Sequence, residues 1–264
     1  MRPAHPNAIA VARSCVVAAL TIACAAPPAW GAADVDPAGS PLWPAIHHAF
    51  LHDAPATFDN RIKVTGPAFA EDAMQVPIAF DASALGKVER IVVAVDRNPI
   101  RKVLEFEPKT VRPALSFRFK LQEASPVRIA ARTPDGNWHV ATLVVGATGG
   151  GCTLPGATRK NDTWATTLNR VESRVFPGFN GAGSRIRLRV MHPMDTGLVA
   201  GTPAFHLEEI NFTDAAGKRL MRVETFEPVS ENPVFTLQRG AQAGPVQARG
   251  RDNNGNAFEA RIAP

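Results

Sequence analysis

The chain has no tyrosine, only three cysteines in 264 residues, and an aromatic content of 7%. Without tyrosine there can be no tyrosine corner, the buried hydroxyl contact that locks many immunoglobulin-type sandwiches. Two of the cysteines, Cys15 and Cys24, stand in an N-terminal stretch that reads as a leader. The mature chain would then keep one thiol, Cys152, and could close no internal disulfide. No later stretch is long and apolar enough to span a bilayer, which takes roughly 20 consecutive apolar residues. Long helices are excluded as well, because 23 prolines and 20 glycines interrupt the chain throughout. Strong charge of one sign is also missing. The formal net charge is +5, and Arg2 and Arg13 belong to a leader without acidic residues. The mature chain is therefore left with about +3, less than a nucleic-acid binder normally carries.

What is present is an ordinary globular composition, 45% hydrophobic and 20% charged. The length suits two domains of common size. At the N-terminus two arginines precede an apolar run over residues 14–26, followed by Ala29-Trp30-Gly31-Ala32-Ala33. This is the order of a cleaved secretory signal, expected to cover residues 1–33, with cleavage after Gly31 or Ala33. A lipoprotein processed at Cys24 is the less favoured alternative, since polar Thr21 stands where an aliphatic residue is preferred. The expected location is the periplasm, an oxidising compartment in which an unpaired cysteine is a liability unless it is buried, pairs with another chain or has a function.

The chain also repeats itself. Phe106-Glu107-Pro108 returns as Phe226-Glu227-Pro228, and Val103/Val223 and Pro113/Pro233 keep the same offset of 120. After a one-residue deletion Val127/Val246, Arg132/Arg251, Gly136/Gly255 and Asn137/Asn256 follow at 119. Two related domains account for this; chance likeness between two β-rich halves is the alternative. Within each half the apolar residues alternate, as at Leu115, Phe117, Phe119 and Leu121, or at Ile186, Leu188 and Val190. That period puts one side-chain set on a buried sheet face. Asp135-Gly136-Asn137, Ala216-Gly217-Lys218 and Asn253-Asn254-Gly255-Asn256 lie between such runs as hairpin turns. The predicted fold is all-β: two immunoglobulin-like β-sandwich domains joined by a Gly-rich, Cys-bearing arm and linker. Their spans are 34–147, with an N-terminal helix opened by Ser40-Pro41, and 184–264, with arm and linker over 148–183. In the linker, Trp164, Leu168, Val171 and Val175 recur at helical spacing behind Asp162, without deciding whether residues 162–175 form a helix.

Chemistry is expected at Cys152, which follows Gly149, Gly150 and Gly151. Glycines leave a backbone free, so the thiol is predicted to be exposed on a mobile arm whose five residues extend over about 17 Å. An unshifted thiol gives a few per cent thiolate at neutral pH, which suits loading and unloading by partner enzymes. An incidental cysteine in a linker is the competing reading.

In these residues the chain resembles the SoxYZ sulfur carriers. The first half looks like SoxY, whose sandwich ends in a Gly-Gly-Cys-Gly-Gly arm that carries sulfur intermediates covalently, and Cys152 matches that cysteine. The second half looks like SoxZ through His192-Pro193-Met194-Asp195-Thr196-Gly197 and Glu231-Asn232-Pro233-Val234-Phe235. A fused, exported chain is similar to the type associated with quinoprotein dehydrogenases. The resemblance implies a non-enzymatic periplasmic carrier without cofactor, serving sulfur-oxidation or quinoprotein dehydrogenase enzymes and pairing its two domains intramolecularly. The alternative is a thiol-independent accessory or binding subunit of a quinoprotein dehydrogenase. In two respects the chain departs from the pattern. Thr153 stands where the family has glycine, and the arm is tethered at both ends, which reduces its reach.

Other candidates carry less. His192 sits in a turn after a strand, and Arg185, Arg187 and Arg189 form a basic stripe on one strand face; both are weak candidates for partner docking. His47, His48 and His52 lack the further ligands that a metal site needs, and no metal is predicted.

Overall fold

The computed structural model describes Met1 and residues 35–160, 163–178, 183–240 and 244–263. The expected leader, apart from Met1, and the Asp162 cap lie outside the described residues. From residue 34 onward the chain forms one compact unit.

Helix α1 (Trp43–Ile46) runs on into a wider helical turn over His47–Leu51. Ser40 Oγ accepts the Leu42 N–H at 3.3 Å just ahead of it. The first half then contains β1 (Ala56–Phe58), β2 (Lys63–Thr65), β3 (Phe69–Ala70), β4 (Val76–Asp81), β5 (Arg90–Val95), β6 (Lys102–Glu107), β7 (Ala114–Phe119), β8 (Ser125–Arg132) and β9 (Trp138–Ala147). After the glycine-rich segment come α2 (Trp164–Thr167), β10 (Val171–Pro177), β11 (Ser184–Val190), β12 (Leu207–Thr213), β13 (Arg219–Thr225), β14 (Val234–Arg239), β15 (Val246–Asp252) and β16 (Ala257–Ile262). The alternation read from the sequence appears as alternating burial, for example in β4 and β14. The predicted hairpin turns hold Gly136, Gly217 and Gly255 at φ between +79° and +87°, where a side chain would be strained.

One sheet runs β1-β9-β8-β5-β6-β13-β12-β15-β16, with β3 also pairing with β9; the other runs β10-β11-β14-β7-β4-β2. Both sheets cross from one half of the chain into the other. The crossing strands are repeats of one another: β6 pairs antiparallel with β13, and Ser116 on β7 lies opposite Thr236 on β14, its own counterpart 120 residues later. Two related sandwiches thus join as the subunits of an isologous dimer would, each using the same edges. This hides the central strand edges from other chains. The result is a continuous core to which both sheets and both halves contribute, through residues such as Phe106, Ile129, Phe119, Val223, Leu188 and Phe235.

The segment read as linker is partly sheet. Helix α2 ends at Thr167, Asn169 turns the chain at φ +60°, and β10 pairs with β11 from Val171↔Val190 to Pro177↔Ser184. Val171 and Val175 are four residues apart, a spacing that shares a face in a strand as well as in a helix. Their packing against the core decided in favour of the strand.

Arg128 on β8 anchors the N-terminal segment. Its buried guanidinium donates to Asp96 Oδ2 and Asp36 Oδ2 at 2.7 and 2.8 Å and lies 5.2 Å from the Trp43 ring centroid. These acceptors hold its pKa well above the usual arginine value despite burial.

Candidate functional site

Strand β9 ends at Ala147, and the chain then folds back along the segment that follows β7. The Gly150 and Gly151 N–H groups donate to Gln122 O and Leu121 O at 2.9 and 3.2 Å. Cys152 N–H donates to Gln122 Oε1 at 3.1 Å, and the Thr196 hydroxyl donates to Cys152 O at 2.7 Å. The thiol donates to Lys120 O at 3.6 Å.

This arrangement corrects the expectation of an exposed, mobile arm, because Cys152 is 1% accessible. The glycines that suggested freedom permit close packing instead. A Cβ on Gly151 would lie 2.2 Å from Ala73 O and 2.5 Å from Leu121 O, and Gly149 and Gly150 hold φ of +112° and +90°. Missing side chains let one backbone touch another, and a run of glycine allows that as readily as it allows motion. The thiol's acidity follows its burial: desolvation raises its pKa from 9.0 to about 11, against a smaller opposing pull from Lys120. In this position the sulfur is protonated and unreactive.

The surroundings of Cys152 are polar, and it belongs to neither apolar cluster of the core. Lys120 is 3% accessible, and its ammonium donates to Met194 O and, at 3.3 Å, to Glu227 O. Burial lowers its pKa to about 8, with Cys152 and Asp195 pulling upward. On the far side of the thiol the chain is fastened again. Glu231 accepts the Ala157 and Thr158 N–H groups at 3.2 and 2.7 Å, and Arg159 donates to Asp195 at 2.6 Å. Cys152 is thus midway between two fixed points, Ala147 and Ala157.

His192 cannot dock a partner, since its side chain is fully buried. Its Nδ1 accepts the Met194 N–H at 3.1 Å, its ring lies 4.4 Å from that of Phe205, and Nε2 faces Asp252 at 3.5 Å. Burial pushes its pKa down to about 4. The residue shapes the turn that brings Met194 and Thr196 to the Cys152 loop. Arg185, Arg187 and Arg189 do share the outer face of β11: Arg189 reaches Glu172 at 3.6 Å, Arg185 donates to Pro177 O at 3.1 Å, and Arg187 is exposed. Of the histidines considered for metal, His47 contacts Ala54 O and His48 contacts Asp53. Among the described residues no group of three or more His, Cys, Asp or Glu converges on one point.

Sequence reasoning missed Lys120, Gln122 and Thr196. Thr196 lies in the flagged 192–197 motif, but nothing in the sequence showed that this turn meets the glycine-rich segment.

Comparison with known families matches residues 46–152 to the sulfur oxidation protein SoxY and residues 179–263 to the sulphur oxidation protein SoxZ. The chain belongs to the SoxYZ family. It is a sulfur-oxidation carrier protein with the two domains fused in tandem, and the SoxY match ends on Cys152 itself. The SoxY domain supplies Lys120, Gln122 and the cysteine loop, and the SoxZ domain supplies Met194, Thr196 and Glu231, so the thiol lies where the two meet. No curated protein matches the chain. Among solved structures it is similar to the sulfur carrier protein SoxY from Chlorobium limicola f thiosulfatophilum, at 19% identity and TM-score 0.37, over 40% of this chain and 96% of that one. It is also similar to the BSP domain of a biofilm associated protein, at 12% identity and TM-score 0.25, over 76% of this chain and 29% of that one. A Parabacteroides merdae β-glucuronidase follows at 9% and 0.25, over 77% and 24%. Likenesses this low carry no functional argument.

Proposed function

We propose that the protein is an exported, periplasmic carrier that holds sulfur intermediates covalently on Cys152, as a persulfide or thiosulfonate, and presents them to partner enzymes. Those enzymes belong to a sulfur-oxidation or quinoprotein dehydrogenase system, and the carrier itself catalyses nothing. The observation that carries this reading is the placement of Cys152. A structural cysteine would pack in the apolar core, whereas this one ends the SoxY match in a polar turn that is held mainly by hydrogen bonds. Such a turn opens locally at far lower cost than the sheets behind it. Once it opens, five residues on each side let the sulfur travel about 17 Å from either anchor. The buried position is then the resting state, and loading takes place in the open one.

Burial of the thiol also favours a second reading, a thiol-independent accessory subunit of a quinoprotein dehydrogenase with the loop as a structural joint. Intact mass of protein isolated from its native host without reductant separates the two. Adducts in steps of one sulfur atom, absent in Cys152→Ser, support the carrier. A Cys152→Ser variant that retains full activity in cells supports the accessory subunit and refutes the carrier.

A further inference from the structure

The two sheets differ in what lies on their outer faces. On the first, Trp43, Phe50, Leu51 and Phe58 pack over Val92, Ala130 and Val140. The second carries at its centre an open groove of about 430 Å³, the size of a ligand-binding cleft. The strand registers place Arg174, Arg187, Thr236, Ser116, Ala79 and Thr65 on one line across this face, in the order β10-β11-β14-β7-β4-β2. The groove follows that line from Arg187 inward and takes in Val234, Pro77 and Arg118 from the next one. It therefore crosses from the SoxZ domain to the SoxY domain and exists only where the two pair. Its floor is made of small or apolar side chains with the Ser116 and Thr236 hydroxyls among them.

The charge on this face is one-sided. Arg174 and Arg187 stand directly opposite each other on β10 and β11, a like-charge pair that costs stability. The carboxylates that these strands present outward, Glu172 and Asp81, are taken by Arg189 at 3.6 Å and Arg112 at 3.4 Å. Among the described residues Arg174 and Arg187 form no ion pair, and Arg118 gives one long hydrogen bond, to Gln75 at 3.4 Å. Guanidinium groups left without carboxylates around an apolar floor suit an acidic partner, since their fork matches carboxylate geometry. The spacing narrows the match. Arg118 and Arg187 lie two strands apart and one alternation out of line, about 12 Å between Cα atoms. In an extended segment, acidic residues at i and i+4 point to the same side about 13–14 Å apart, with the i+2 side chain between them.

We propose that this groove docks an extended acidic segment of a partner protein, with carboxylates at i and i+4 paired to Arg118 and Arg187 and an apolar side chain at i+2 seated on Val234, Ala79 and Pro77. Arg174 carries the cationic surface on to β10, about 14 Å from β7, farther than a small dicarboxylate spans. Arg118 stands two residues before Lys120, whose carbonyl receives the Cys152 thiol, so the docked segment lies toward the end of the sheet that bears the cysteine loop. Docking there does not depend on the carrier reading, to which it adds the chemistry of the partner.

The test is binding of a fluorescent peptide, Glu-Ser-Leu-Ser-Glu with blocked ends, to the full chain, followed by anisotropy. Saturable binding at micromolar to millimolar peptide is expected, weakening about fivefold or more as salt rises from about 0.05 to about 0.5 M. Arg187→Gln and Arg118→Gln should each lower the affinity about tenfold, the worth of one charge-assisted contact. Arg132→Gln, on the other sheet, should leave it unchanged. Arg187 is exposed, so its replacement should not lower the urea midpoint; Arg118 is half-buried, and Arg118→Lys, which keeps the charge but loses the fork, replaces the glutamine variant should that one fail to fold. Glu-Glu-Leu-Ser-Ser, equal in charge but wrong in spacing, should bind about fivefold or more weakly. The proposal is overturned by absence of saturable binding, by equal affinity for Lys-Ser-Leu-Ser-Lys or for the respaced peptide, or by native affinity in both arginine variants. Displacement of the peptide by glutarate at equal concentration would mark a small-molecule site and overturn it as well. Binding is read without any sulfur adduct and should persist in Cys152→Ser, so failure of the carrier reading would be seen separately.

Discussion

Raising the pH should open the Cys152 loop, and the size of the effect follows from the thiol's burial. In the closed loop the thiol pKa is about 11 rather than 9.0. Two units correspond to ~3 kcal/mol, so the thiolate prefers the open loop about a hundredfold more strongly than the thiol does. The sign is that of a group whose folded pKa is raised: the closed state binds more protons than the open state between pH 9 and 11, and closure weakens as pH rises through that window. Iodoacetamide reacts only with open thiolate. In urea its rate should level off near pH 9. In the folded protein it should start lower and keep rising through that pH, so that the gap between the two narrows about tenfold by roughly pH 10. Equal rates in both states would mean that the thiol is not sequestered. A folded-state rate that levels off near pH 9 with a constant gap would mean that the closed state does not shift the thiol's acidity. Either result refutes the reasoning.

Gly151→Ala should expel the loop without unfolding the body, because its Cβ would lie 2.2 Å from Ala73 O. Overpacking of this kind costs ~1–3 kcal/mol, which should speed Cys152 alkylation at neutral pH about tenfold or more while the main urea transition stays in place; a wild-type rate would show that the close contact is not made. Arg128→Leu leaves Asp96 buried without its partner and should cost about 3–5 kcal/mol in urea unfolding, against less than ~1 kcal/mol for Arg112→Ala at the exposed pair with Asp81. The Asp36 carboxyl, held below its ordinary pKa with Arg128 as its main hydrogen-bonding partner, should add an acid-side loss of stability as pH falls through the lowered value, and that loss should shrink in Arg128→Leu.

The sequence by itself determined the β class, most strand positions, the hairpin turns and the repeat. Those features are written in local periodicity, in glycine placement and in a constant offset of 120, and all three survive without knowledge of what each strand packs against. It also singled out Cys152, since composition alone left one thiol after the expected leader. Tertiary structure decided the rest. Residues 171–177 could satisfy helix or strand until β11 offered an edge. Whether three glycines meant freedom or contact depended on Ala73 and Leu121, distant in sequence and adjacent in space. Lys120 follows the alternating run Leu115, Phe117, Phe119 on the side that periodicity assigns to solvent, and it is buried where the turn after His192, the segment at Glu227 and the Cys152 loop close over it. Periodicity reports which face of a strand is apolar, but the accessibility of a thiol and the environment of an ammonium are set by segments that meet only when the two halves of the chain pair.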